Sequence, residues 1–182
     1  MAAVLGSCMD PAPLRASIPA LEECTYLNTG ATGPSPRPVV EAATEYLERQ
    51  RFAAPCGDGG YEVASQARES ARETVADFVG ATPEEIALTR NTVEGINHVV
   101  GAMDWAPGDV VVRTDLEHPA GNLPLRHLAE REDVEVRVVE CEDGRLDMEA
   151  LREAVADARL LVLSSLSWNY GTRLPVAEAT EI

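Results

Sequence analysis

Apolar positions recur at helical spacing over two stretches in the first half of the chain. Val39, Ala43, Tyr46 and Leu47 share one face of a helix that Pro38 opens. Val63, Ala67, Ala71, Thr74, Val75 and Phe78 share a face of a longer helix that Gly80 is placed to end. Ahead of both, residues 1–25 carry Pro11, Pro13 and Pro19 and read as an arm with little regular structure. Tyr26 to Pro38 reads as a loop, because Gly30, Gly33 and three prolines dictate turns. Thr82-Pro83-Glu84-Glu85 has the form of a capping box, with Thr82 at the N-cap and Glu85 at N3.

Beyond this turn the period changes. Residues 86–89 read as a buried strand, and residues 92–103 as a helix with Val93, Ile96, Val99, Val100 and Met103 inward. A strand follows at 109–113, a broadly helical stretch at 118–130, and an alternating strand at 134–139. A helix capped by Asp147 spans 147–157, and a strand spans 160–163. Strands that alternate with helices predict a parallel α/β sheet flanked by helices. The last residues, 174–182, read as the first turns of another helix with no strand after it. A sheet edge left unpaired is normally avoided, so the chain reads as truncated relative to a complete fold.

Charge narrows the function classes. The 182 residues carry 31 Asp+Glu against 15 Lys+Arg, a formal charge of −16. Such a chain repels phosphate backbones, so no nucleic-acid partner is expected. Nothing approaches ~20 consecutive apolar residues, so no membrane span is expected. Met1 to Cys8 lacks a basic start, so no leader is expected either. Cys8, Cys24, Cys56 and Cys141 are widely spaced and form no CxxC pair. Reduced thiols and a cytoplasmic location follow, with a reactive Cys56 in its glycine-rich loop left as an alternative. All fifteen cations are arginine.

Three segments carry candidate chemistry, each following a predicted strand. Thr89 to Asn97 joins a strand to a helix. The free N–H groups of Thr92 and Val93, with the Thr92 hydroxyl, suit a phosphate; the alternative is that Asn91 or Thr92 simply caps the helix. His118 follows the 109–113 strand, beyond whose carboxyl end ligands of an open parallel sheet bind. Its imidazole suits the face of a planar cofactor ring; the alternative is a partly exposed loop histidine. His98 and His127 fall inside helices, and no metal site is expected. Ser164 to Pro175 follows the last strand, and Trp168, Asn169 and Arg173 suit a small-molecule pocket or a loop that covers the sheet.

Together these strand ends resemble the pyridoxal-phosphate (PLP) enzymes of aminotransferase class V. The resemblance runs from Tyr26-Leu27-Asn28-Thr29-Gly30-Ala31 to the last residue. It implies a partial fold-type-I PLP-dependent large domain at 51–182, preceded by an arm, loop and helix at 1–50. Thr92 and Val93 would hold the cofactor phosphate, His118 would stack on the pyridine ring, and Trp168 would border it. Asn28, Gly30 and Ala31 would border the substrate entrance. An amino acid is the implied substrate, with transamination, epimerisation or elimination as its chemistry. A homodimer or a complementing chain is the implied assembly.

Two departures bear on the activity. Many members have a hydroxyl residue where this chain has Val93. Desulfurases carry Asn where this chain has Trp168, and the Ser-Trp…Gly-Thr-Arg-Leu-Pro-Val form looks more like the epimerase-like branch. The aspartate for the pyridine nitrogen and the Schiff-base lysine would both lie beyond Ile182 in the family pattern. No lysine stands anywhere in the sequence, and arginine, always protonated, does not replace it. Two readings remain: the N-terminal portion of an enzyme that is incomplete alone, or a non-catalytic remnant that serves as a dimerisation or interaction module.

Overall fold

The computed structural model describes residues 10–52 and 59–182. Cys8, Cys56 and the Met1–Cys8 segment lie outside the described residues, as does most of the 55–60 loop. The chain divides into two compact units, Met1–Leu88 and Thr89–Ile182.

The first unit is helical. α1 spans Pro11–Ala16, α2 Ala20–Glu23, α3 Arg37–Phe52 and α4 Gly60–Val79, and a 3-10 turn covers Pro83–Glu85. The expected irregular arm therefore contains two short helices. The prolines do not prevent them, because Pro11 falls in the first turn of α1, where its missing N–H is no loss. Asp10 caps that turn by accepting from the Ala12 N–H at 3.0 Å. Gly80 ends α4 in the left-handed region at φ 73°. Ala76 is the only buried apolar residue described in this unit. Val39 and Leu47 on α3, and Val75 and Phe78 on α4, are exposed rather than packed inward. Their stripes have the helical period, but nothing described in the unit covers them.

The second unit is a layered α/β structure. α5 spans Thr92–Ala102, β1 Val110–Thr114, α6 Pro119–Glu132, β2 Glu135–Val139, α7 Met148–Val155, β3 Leu160–Val162 and α8 Val176–Ala179. The three strands are parallel in the order β2-β1-β3. Val111 pairs with Val136 on one side and Leu160 on the other, and the β1–β3 ladder stops at Arg113 and Val162. Successive β1 residues point to opposite faces. Val111 packs with Val100, Leu125, Leu128 and Val134 beneath α5 and α6; Val110 and Val112 pack with Val139, Leu151 and Ala179 beneath α7 and α8. Helices thus cover both faces of the sheet, as a parallel sheet requires. Pro124 sits inside α6 and is buried.

Asn91 and Asp147 cap α5 and α7, accepting from the backbone N–H groups of Glu94 at 2.9 Å and Glu149 at 2.9 Å. On β2, Arg137 donates to Asp157 at 2.7 Å and to the Ala154 carbonyl at 2.7 Å, which ties α7 to the sheet. Residues 86–89 depart from expectation: they form no strand, and Leu88 is exposed. Ile86 has extended dihedrals, but no described strand offers it a ladder. Val99 departs too; it is 54% exposed and faces an open apolar groove of about 420 Å³ between α5 and β3. That groove lies along the side of β3 that carries no neighbouring strand.

Candidate functional site

Three loops of the second unit follow directly from the layered architecture. At the start of α5, the Asn91 side chain is the cap. The cap satisfies Glu94 and leaves the N–H groups of Thr92 and Val93 without an acceptor among the described residues. The Thr92 hydroxyl is exposed beside them. Glu94 would set a negative charge against an anion here. Its carboxylate is engaged: it accepts from the Arg90 guanidinium at 2.7 Å and from the Arg90 N–H at 2.6 Å. Arg90 thereby holds Glu94 below the usual carboxylate range. Thr92 and Leu163 line the same groove, so the α5 start lies level with the carboxyl end of β3.

His118 follows β1 and caps α6. Its Nδ1 accepts from the Ala120 N–H at 3.1 Å, which leaves Nε2 to carry the proton of the neutral ring. The ring is exposed and meets Trp168 edge to face, with centroids 5.2 Å apart at 75°. Of the four residues expected at a cofactor, the structure thus brings His118 and Trp168 into direct contact. Thr92 and Val93 sit at the head of α5, which packs against α6 where a Cβ on Gly121 would stand 3.5 Å from the Ile96 side chain.

Trp168 is held by a closed loop after β3. Leu166 bridges Arg173, the Ser167 N–H donates to the Thr172 carbonyl at 2.9 Å, and the Leu174 N–H donates to the Ser165 carbonyl at 3.1 Å. The buried Ser167 hydroxyl donates to Asn169 Oδ1 at 2.6 Å. The Asn169 side-chain oxygen is thereby tied to its own loop. The Trp168 indole N–H has no acceptor among the described residues and is 58% exposed. Tyr170 lies over the Asp143-Gly144 turn so closely that a Cβ on Gly144 would fall 2.6 Å from its ring.

Sequence reasoning missed the residues beneath this surface. Thr114, Glu117 and Ser164 join the ends of β1 and β3 through buried and half-buried hydrogen bonds. Only the position of Glu117 immediately before His118 hinted at them. Asn28, Gly30 and Ala31 belong to the first unit. There the Asn28 carbonyl accepts from the Ala31 N–H at 3.1 Å, and the Tyr26 hydroxyl donates to the Thr32 carbonyl at 2.7 Å. All three are exposed in this turn.

Comparison with known proteins decides the family. The model for aminotransferase class V matches residues 25–182. The chain belongs to the aminotransferase class-V family. A probable cysteine desulfurase of Methanothermobacter thermautotrophicus is 38% identical over 174 residues, covering 93% of this chain and 43% of that protein. The apo structure of a cysteine desulfurase from Thermococcus onnurineus NA1 superposes with a TM-score of 0.83 at 32% identity, covering 96% of this chain and 45% of that one. A variant of C-DES with glycine covalently linked to its PLP cofactor superposes at 0.84 with 28% identity, covering 92% and 44%. C-DES is described as a cystine C–S lyase whose reaction product is cysteine persulfide.

This class V chain therefore spans less than half the length of the relatives it matches, and corresponds to their N-terminal part. Its α/β unit is part of the fold of PLP-dependent cysteine desulfurases. The names of these relatives run against the epimerase-like branch favoured on Trp168, and the chain is desulfurase-like. A single aromatic substitution in a surface loop weighs less than similarity along the whole chain.

Proposed function

We propose that this chain supplies the phosphate-binding and ring-stacking part of a PLP-dependent active site that acts on a sulfur-bearing amino acid. The observation that carries the reading is the juxtaposition of His118 and Trp168 at the carboxyl ends of parallel strands, in a class V chain whose α5 start offers free N–H groups. The donor set fits the group. The Thr92 and Val93 N–H groups and the Thr92 hydroxyl suit a phosphate, aided by the positive end of the α5 dipole. The exposed His118 face suits a flat heteroaromatic ring, and the Trp168 N–H offers a donor at its margin. When bound, PLP would supply an electron sink for bonds at the substrate α-carbon. The chain's own residues bind and orient it: Thr92 and Val93 fix one end, and His118 fixes the ring plane. The lysine that the chemistry requires would come from a longer chain or a complementing one. The remnant or interaction-module reading rests on the same absence of lysine.

The test is calorimetric titration with PLP of the chain and of its Thr92→Ala and His118→Ala variants. Loss of a hydroxyl donor to a charged phosphate is worth about 1.5–3 kcal/mol, so Thr92→Ala should weaken binding roughly 10- to 150-fold. Loss of the ring contact should cost about 0.5–1.5 kcal/mol, roughly 2- to 12-fold. Unchanged affinity in both variants would place any binding elsewhere and favour the remnant reading.

A further inference from the structure

A buried carboxylate stands one residue before His118. Glu117 is 5% exposed, and Thr114 beside it is fully buried. Glu117 Oε1 accepts from the Thr114 hydroxyl at 3.0 Å and from the Ser164 N–H at 2.9 Å, and Oε2 accepts from the Ser164 hydroxyl at 2.5 Å. A buried carboxylate is costly unless hydrogen-bonded, and here three donors meet it.

Location gives this contact its meaning. The β1–β3 ladder ends at Arg113 and Val162. Two residues later on the β3 side, the Ser164 N–H finds no strand acceptor and takes the Glu117 carboxylate instead. The side chain therefore continues the joint between the two strands after their backbones part. One residue after Glu117 stands His118; four residues after Ser164 stands Trp168. Each ring is carried by a different loop, and the Glu117 side chain bonds one loop to the other. The Glu117 carbonyl also accepts from Asn122 Nδ2 at 3.3 Å, which fastens the same residue to the first turn of α6.

We propose that Glu117 is a positioning residue for the ring platform: its carboxylate sets the distance and angle between His118 and Trp168 by clamping the end of β1 to the end of β3. This inference deepens the cofactor reading and rests on it for its purpose. The ring geometry is a property of the chain without cofactor.

The experiment uses the 182-residue chain without PLP. NMR reads the cross-relaxation between the ring protons of His118 and Trp168 and the ring-current shift of the His118 Hε1 proton. Glu117→Ala should abolish the ring-to-ring cross-peaks and remove at least half of the ring-current shift. Methyl signals of Val111, Leu125 and Leu151, which report the two core layers, should stay in place. Glu117→Gln should retain the contact, because its oxygen keeps two donors and its NH2 can donate to the Ser164 oxygen. A residue that merely stabilised the fold would lower Tm and leave the native ring geometry unmoved. If Glu117→Ala does not fold, Ser164→Ala carries the test, since it deletes the hydroxyl bond and keeps the N–H bond; it should shift the His118 signal in the same direction by a smaller amount. Unaltered cross-peaks and shift in Glu117→Ala, or in Ser164→Ala where that variant is needed, would overturn the proposal. The PLP titration decides the cofactor reading separately, so the two can fail independently.

Discussion

At the scale of single residues, environment decides reactivity, and Cys141 shows it. Burial, a hydrogen bond with Asp115 and the nearby carboxylates push its thiol up to about 12. Only the thiolate is nucleophilic. At pH 8 its thiolate fraction is therefore roughly three orders of magnitude below that of an ordinary thiol. Alkylation with iodoacetamide at that pH should modify the exposed Cys24 first and leave Cys141 largely intact, as read by peptide mass spectrometry. Equal rates at the two positions would contradict this burial. At the same scale, Trp168 shows what one residue type tells from sequence. Its position after β3 was legible, as was that of its partner His118 after β1. Their edge-to-face contact was not, because it depends on how two loops 50 residues apart are joined.

Among elements, caps and periods were readable because they are local. Thr82-Pro83-Glu84-Glu85 forms its capping box: Glu85 Oε2 accepts from the Thr82 N–H at 2.8 Å and from its hydroxyl at 3.0 Å. The Thr82 backbone donor and then the hydroxyl hold Glu85 below its ordinary range. A depressed carboxyl adds stability that is complete above the ordinary glutamate range and declines as pH falls through the lowered value. The Thr82 amide proton should report this in an acid titration by NMR, shifting upfield as Glu85 protonates. In Glu85→Gln that transition should disappear. Long-range pairing, by contrast, was not readable. Residues 86–89 have strand-like composition, yet a strand exists only where a neighbour supplies its ladder, and no described strand does. The short α1 and α2 were missed for the opposite reason, since first-turn prolines look like breakers in a list and act as helix starts in place.

For the whole molecule, the decisive feature is a partition of chemistry. On the proposed reading the chain supplies the binding part of a class V site, and it contains no lysine. Arginine stays protonated at neutral pH and does not condense with an aldehyde as an amine does. Incubation with PLP followed by borohydride should therefore give no adduct on any side chain by peptide mapping. A side-chain adduct would show a nucleophile that the residue inventory does not contain. The α/β class, the parallel sheet and its crossover helices were legible because alternating periods persist over the whole of 89–182. That Ala76 is the one buried apolar residue among the described residues of the first unit was not legible, because the stripes on α3 and α4 have the period of packed helices. Leu27, Phe52, Tyr61 and Phe78 stand at least 77% exposed in that unit.

Pro124 has a mechanical consequence for the ring at position 118. It carries no N–H, so the carbonyl of Ala120 receives no bond from it. The opening turn of α6 is thereby short of one rung, while the later turns of the helix are anchored by the buried Leu125 and Leu128. That turn is held to the preceding loop by the Gly121 and Asn122 N–H groups, which donate to the His118 carbonyl at 2.8 and 3.3 Å. His118 thus stands at the head of a turn that its own carbonyl and ring hold in place, and the Glu117 side chain ties the residue before it to the end of β3.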